Sequence, residues 1–417
     1  MRVRSGRRRA ARLGLALAAL LWVTAACTDT TAPGRSAAPA SPSVDLSAEL
    51  RARARQLLDQ GAIGAVVRVD DGHRVVQFAV GLAALKPRRA LEPGDEFRVG
   101  STTKTFISAL VLQLVTEGRL ALDDTVDRWL PGQLPTSSAV TVRMLLNHSS
   151  GLPDYTHDPV LNDLRQGRAP RLRTPEQLLA MGARQKPLFA PGTAWAYSDT
   201  NYIALGLILQ KVTHRSVRLL VQERIAEPLG LRHTYLGAGP GFRGTPYAHG
   251  YSAPTYYAAG PVVDGLVDTT GLDLNWTWTA GGMVSTAPEI ATFYAAVLSG
   301  RLVPTPQFQQ MKATIPTTMP GVRDGLGIQQ EVGPCGNRVW FHTGGVPGYT
   351  SVAVAEDGGE RTGVLLIPSD IDADARHAAA QRLLDAILCA MDGEPAPPEG
   401  TGGGQTGNIL ASNTATR

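Results

Sequence analysis

"YTSVAVAEDGGERTGVLLIP", residues 349–368, is two apolar, β-branched runs on either side of Asp357-Gly358-Gly359. Runs of this length around a glycine turn are the pattern of an antiparallel hairpin. The same design stands near the other end of the chain, where "AVVRVDDGHRVVQFAVG" (65–81) is centred on Asp71-Gly72. Between the two hairpins the apolar period is helical. Phe106, Leu110 and Leu114 recur four apart, and Ile203, Leu207 and Val212 approximately so. Hairpins at both ends with helices between them predict an α+β fold. Its antiparallel sheet is assembled from N- and C-terminal strands, flanked by helices, with an inserted, mainly helical lobe.

The 417 residues are 43% apolar and 18% charged, which excludes disorder of the whole chain. The first segment, "MRVRSGRRRAARLGLALAALLWVTAAC", carries six arginines, then an eleven-residue apolar run from Leu13 to Val23, then small residues. That is the layout of an export signal, and the run falls short of the roughly 20 residues a spanning helix needs. "TAAC" resembles a bacterial lipobox, so residues 1–26 are expected to be a signal peptide of lipoprotein type. Cys27 would then be lipidated and tie the protein to the outer face of the membrane; an ordinary signal peptide cleaved nearby is the other reading. Residues 27–44 are rich in Ala, Pro, Ser and Thr and read as a flexible tether. Residues 392–417 read as a second unstructured segment, leaving 45–391 as the folded domain.

Removing the signal takes away six arginines and no acid, so the formal net charge falls from +4 to −2. The basic balance belongs to targeting and gives no support for a nucleic-acid partner. Beyond Cys27, Cys335 and Cys389 form an even pair. In an oxidising compartment a disulfide between them is expected, with two buried thiols as the alternative.

"VGSTTKT" (99–105) precedes the first helical run and holds one of five lysines in the chain. Gly100 and Ser101 read as a turn into a helix, which places the Ser101 hydroxyl and the Lys104 amine one turn apart on the same face. A serine hydroxyl needs a neighbour to take its proton, and a desolvated amine or a phenolate can do so. Taken alone, the tetrapeptide reads equally as a helix cap beside a solvated lysine. A phosphate loop is excluded, because Thr103 and Arg98 occupy the places where glycine is required. Further along, "AWAYSDTNYIALG" (194–206) opens a second helical stretch, and "VWFHTGGVPGY" (339–349) is a strand that ends at His342-Thr343-Gly344-Gly345.

In this order the three segments resemble the penicillin-recognising serine hydrolases: class C β-lactamases, secreted D-Ala-D-Ala carboxypeptidases and related esterases. The likeness covers roughly residues 45–391 and includes "VTVRMLLNHSSGLPDY", "TAGGMVSTAPEIATFYAAVLSG" and "GLGI". It implies a β-lactamase/transpeptidase-like fold and an acyl-enzyme on Ser101. Lys104 would be the activating neighbour, Tyr197 the proton shuttle and His342 the stand-in for a lysine in the third motif. The N–H groups of Ser101 and Gly345 would form the oxyanion hole. Asp199, Thr343, Gly344 and Gln329 would contact substrate.

The chain departs from the family pattern in two respects. Asp199 replaces an asparagine, exchanging an amide donor for an anion that would pair with Lys104 and shift base work toward Tyr197. Gln329 and Gly345 stand where related carboxypeptidases place an arginine and a hydroxyl to hold a substrate carboxylate, leaving Thr343, His342 and Arg338 as candidates for that contact.

"GPGFRG" (239–244) contains Pro240 and reads as a loop rather than a dinucleotide site. His148, Asp154, His157 and Asp158 cluster in sequence but lack metal-ligand spacing, so no metal or other cofactor is expected. Trp276 and Trp278 read as either groove or core residues. The expected activity is that of a D-alanyl-D-alanine carboxypeptidase on cell-wall peptides. The expected partner is thus a peptidoglycan peptide, with a β-lactam or small ester as alternatives and a non-catalytic wall-binding protein as the reading of another class.

Overall fold

A computed structural model describes residues 45–134, 138–161, 173–237, 239–244, 246–258, 260–371, 374–398 and 409–410. The segments expected to be signal peptide and tether, with Cys27, lie outside the described residues. Helix α1 (Leu46–Asp59) precedes the hairpin of β1 (Gly64–Asp70) and β2 (Val75–Ala84). Then come α2 (Thr103–Thr116), α3 (Asp199–Thr213) and α4 (Ala287–Leu298). The chain returns through β3 (Gln329–Val332), β4 (Arg338–Val346), β5 (Tyr349–Glu356), β6 (Thr362–Ile367) and the long helix α5 (Asp374–Met391).

These strands form the body of a nine-stranded sheet in the order β3-β4-β5-β6-β1-β2. Two short strands, Ile315–Pro316 and Arg323–Asp324, extend it beyond β3, and Arg89–Ala90 extends it beyond β2. Pairing is antiparallel throughout, and the two ends of the chain meet where Val66 of β1 is in register with Leu366 of β6. The expected α+β architecture is therefore present.

Strand alternation divides the core in two. Val67, Phe78, Phe341, Val352 and Leu365 face α1 and α5. Val66, Trp340, Ala353 and Leu366 face the other way, toward α2, α3 and α4. Cys335 and Cys389 are bonded, tying the turn before β4 to α5. Within the segment read as an unstructured end, Ile409 and Leu410 are buried against the α1/α5 face.

Helix α2 is apolar on every side, and eleven of its fourteen residues are buried. A helix of that composition belongs inside a fold. Phe106 stacks on Phe293 of α4 at 3.6 Å between centroids. Lys104, at the start of this helix, is fully buried, so its charge must find partners within the protein.

Candidate active site

The 3-10 turn Gly100–Thr102 leads into α2 and lies against β4. Ser351 of β5 donates to the Val99 carbonyl at 2.7 Å, and the Val99 N–H donates to Met283 O at 3.1 Å. Two glycines allow the close approach. Gly100 has φ +50°, and a Cβ there would stand 2.6 Å from Gly345 N. A Cβ on Gly344 would stand 1.9 Å from the Val99 carbonyl oxygen. The backbones of 100–101 and 344–345 thus form one wall, with Ser101 and Gly345 lining the same cleft.

Lys104 places all three of its ammonium donors. They reach Ser101 Oγ at 2.9 Å, Asp199 Oδ1 at 2.6 Å and the Ala280 carbonyl at 2.8 Å. Desolvation draws Lys104 below the ordinary lysine range, and Asp199 opposes the shift. Asp154 and Asp324 also act on it through space. Burial raises these two carboxyls, Asp154 to about 6 and Asp324 to about 7.

Tyr197 immediately precedes the Ser198 cap of α3, and the Ser101 hydroxyl acts on its phenol, opposing part of the rise that burial imposes. Desolvation and then Asp199 push its phenol well above the ordinary value, so it rests as a neutral hydroxyl. The Lys104 ammonium lies 4.8 Å from the Tyr197 ring centroid. Ser101 Oγ therefore accepts from Lys104 and keeps its own proton for Tyr197. With Tyr197 neutral, the arrangement suits a relay. The serine proton passes to the phenol oxygen as the phenol proton passes to the leaving group; Oγ bonds to the acyl carbon and the bond from that carbon to the leaving group breaks.

His342 is buried on the α2 side of the sheet, with its ring centroid 6.5 Å from that of Tyr197. Its Nδ1–H donates to the Thr343 carbonyl at 2.6 Å. Burial and then Lys104 hold its pKa down to about 3. It stands where the third motif carries a lysine but supplies no positive charge.

A model of the Beta-lactamase family matches residues 50–387. The chain belongs to the Beta-lactamase family. Among curated relatives of this Beta-lactamase chain, "Penicillin-binding protein 4*" of Bacillus subtilis is 26% identical over 328 residues, 77% of this chain and 72% of the relative. "Esterase EstB" of Burkholderia gladioli is 33% identical over 245 residues, 56% of this chain and 61% of the relative. Among solved structures, a D-stereospecific amidohydrolase from Streptomyces sp. superposes with TM-score 0.73 at 32% identity, covering 82% of this chain and 99% of that one. D-amino acid amidase from Ochrobactrum anthropi SV3, complexed with L-phenylalanine amide, gives TM-score 0.73 at 27% identity over 82% and 97%.

Within this Beta-lactamase fold the residues named from sequence divide into two groups. Ser101, Lys104, Tyr197, Asp199, His342 and Gly345 converge, with Thr343 and Gly344 buried in β4 beside them. Gln329 does not join them. It is in register with Phe341, which packs toward α5, and its neighbour two places on, Glu331, feels Asp385 of α5. A one-residue offset across β4 puts His342 and Gln329 on opposite faces of the sheet, so Gln329 faces away from the cleft. Arg338 is exposed at the far end of β4 and reaches no part of the cleft.

Three further contributors were not assigned a role from sequence. Asp154 accepts the Asp199 N–H at 3.1 Å, and Ala280 supplies the third acceptor for Lys104. His148 stacks on Tyr197 at 4.3 Å. Their only signal was membership in "NHSSGLPDY" and "TAGG", stretches whose residue types carry no reactive pattern. Trp276 lines the cleft, whereas Trp278 packs near Gly206. Among the described residues no group of three or more His, Cys, Asp or Glu is arranged to hold a metal ion.

Proposed function

We propose that this chain is an exported serine hydrolase, anchored through Cys27, that cleaves small amides, peptides or esters through an acyl-enzyme on Ser101. The N–H groups of Ser101 and Gly345 would take the oxyanion, and Tyr197 would carry the proton to the leaving group. The observation that carries the substrate class is the charge of the cleft. Its described lining is Ser101, Thr156, Tyr257, Trp276, Thr277, Ala280, Gly281, Gly345, Val346 and Pro347 with one charged side chain, the acid Asp199. Lys104 behind it is already paired. Such a cleft favours a substrate whose recognised end is an ammonium or is neutral, and disfavours a free C-terminal carboxylate.

The reading agrees with relatives named for amine-bearing substrates. A "D-aminopeptidase" of Brucella anthropi is 34% identical over 175 residues, covering 42% of this chain and 32% of that protein. A second reading, D-alanyl-D-alanine carboxypeptidase on wall peptides, is supported by a "Putative D-alanyl-D-alanine carboxypeptidase" of Escherichia coli, 32% identical over 149 residues. It needs a carboxylate contact that Gln329 and Arg338 do not supply.

The test is a panel of four substrates: a D-amino acid amide, a peptide ending in D-Ala-D-Ala, a cephalosporin and a short-chain aryl ester. The expected order places the amide and ester above the D-Ala-D-Ala peptide. A D-Ala-D-Ala peptide turned over fastest overturns the substrate class and restores the carboxypeptidase. No turnover of any member, together with no covalent labelling of Ser101 by a fluorescent penicillin, would establish a binding protein instead.

A further inference from the structure

We propose that His148 is a positioning residue that holds the Tyr197 phenol against Ser101 by gripping the backbone on both sides of it and its ring from one face. The proposal rests on the proton-relay reading of Tyr197 above. Three contacts converge on this one residue. The His148 carbonyl accepts the N–H of Ala196 at 3.1 Å. Its ring Nδ1 accepts the N–H of Ser198 at 3.1 Å. Its imidazole lies over the Tyr197 ring at 4.3 Å between centroids and 26° between planes. The residues flanking Tyr197 are thus tied to the same residue whose ring covers the tyrosine.

The clamp is itself built to hold one shape. His148 has φ +60°, a left-handed conformation uncommon for a residue with a Cβ and one that persists when the surroundings enforce it. Ser150 Oγ donates to Asn201 Oδ1 at 2.6 Å, which turns the Asn201 amide nitrogen toward His148 Nδ1 at 3.0 Å. With two N–H donors aimed at Nδ1, the ring proton resides on Nε2. Burial, with Lys104 and His342 nearby, keeps the imidazole neutral, and only a neutral ring leaves Nδ1 free to accept from Ser198. His148 lies outside the described lining of the cleft around Ser101, so its effect reaches the chemistry through Tyr197.

Two variants separate the parts of the grip. His148→Phe keeps a flat ring and deletes the acceptor; His148→Asn keeps an acceptor and a residue type that tolerates left-handed φ, and deletes the ring. Displacing a catalytic group by about 1 Å costs on the order of 10²-fold. His148→Phe is accordingly expected to lower kcat on a D-amino acid amide by about 10²-fold with KM changed less, and His148→Asn to recover part of that loss. The loss should be smaller on an activated aryl ester, whose phenolate leaves without the proton an amine requires. Both variants are then made in a Tyr197→Phe background, where each should cost little more than Tyr197→Phe alone. If His148→Phe does not fold, the His148→Asn arm carries the same cycle. Equal losses with and without Tyr197, or equal losses on amide and ester, overturn the clamp while leaving the relay standing. Unchanged turnover in Tyr197→Phe itself overturns the relay and the clamp with it.

Discussion

Lys104 Nζ and Asp199 Oδ1 stand 2.6 Å apart, joining the first turn of α2 to the first residue of α3. The lysine is fully buried and the aspartate partly open to the cleft, so one carboxylate both compensates the ammonium and faces the cleft. Asp199→Asn would leave a buried cation with a neutral partner and remove the negative charge from the cleft. The expected outcome is a shift in relative kcat/KM toward the D-Ala-D-Ala peptide and away from the D-amino acid amide, by about tenfold or more. An unchanged ratio would mean that Asp199 does not read substrate charge.

Ser101→Ala removes the proposed nucleophile while the Lys104–Asp199 pair and the Ala280 contact remain. Turnover should fall by roughly 10³ to 10⁶ with little loss of thermal stability. Covalent capture of a fluorescent penicillin, if wild type shows it, should disappear completely. Steady-state kinetics beside a melting curve checks both halves.

Gly100→Ala tests the wall between the turn and β4. The added methyl would meet Gly345 N at 2.6 Å, in a backbone conformation of φ +50°. Either the turn or β4 must move, displacing the Ser101 and Gly345 N–H groups from each other. We expect a loss of about 10²-fold or more in kcat, of the size seen when one oxyanion donor is removed. A control at Gly94, where a Cβ meets nothing within 4 Å, should stay close to wild type.

Asp324 offers a pH experiment. It is buried, accepts Trp195 Nε1–H at 2.7 Å, and has its carboxyl raised to about 7. An acid whose folded value exceeds its unfolded value of about 3.9 binds more protons when folded, so stability declines as pH rises between those values and levels off above the higher. The cost is thus absent below about pH 4 and complete above the folded value. Asp324→Asn keeps an acceptor for Trp195 and removes the charge. It should stabilise the protein at pH 8 by about 1–3 kcal/mol, with the gain shrinking toward pH 5. Urea unfolding at the two pH values measures it.

The Cys335–Cys389 bridge spans 54 residues of sequence. It ties the turn at the end of β4 remote from His342 and Gly345. Replacing both cysteines with alanine should lower stability by about 2–4 kcal/mol, chiefly through the unfolded chain. Activity at 25 °C should be nearly unchanged, since the bridge makes no contact with the site.

Some of this was legible in the residues. Valine runs around Asp-Gly turns at both ends specified an antiparallel sheet. The helical period at Phe106, Leu110 and Leu114 specified the buried helix that carries Lys104. The order of Ser101, Lys104, Tyr197 and His342 picked out side chains that the fold brings together, because each is a residue type chosen for its chemistry. Gln329 was misplaced because a linear motif does not record which face of a strand a side chain occupies, and a one-residue offset reverses it. His148 and Ala280 were passed over for a different reason. Their contributions come through a carbonyl, a backbone dihedral and a ring nitrogen acting as acceptor, none of which marks a residue type.

The sequence by itself determined the period of each element and the identity of the groups that can exchange a proton. Only the tertiary structure decided their state. Burial of Lys104 among acids, of Tyr197 beside Asp199 and of His342 beside Lys104 sets which of them are charged. Desolvation and pairing depend on neighbours 50 to 252 residues away in the chain, Ser198 beside His148 and Ser351 beside Val99 among them. No local stretch encodes that distance.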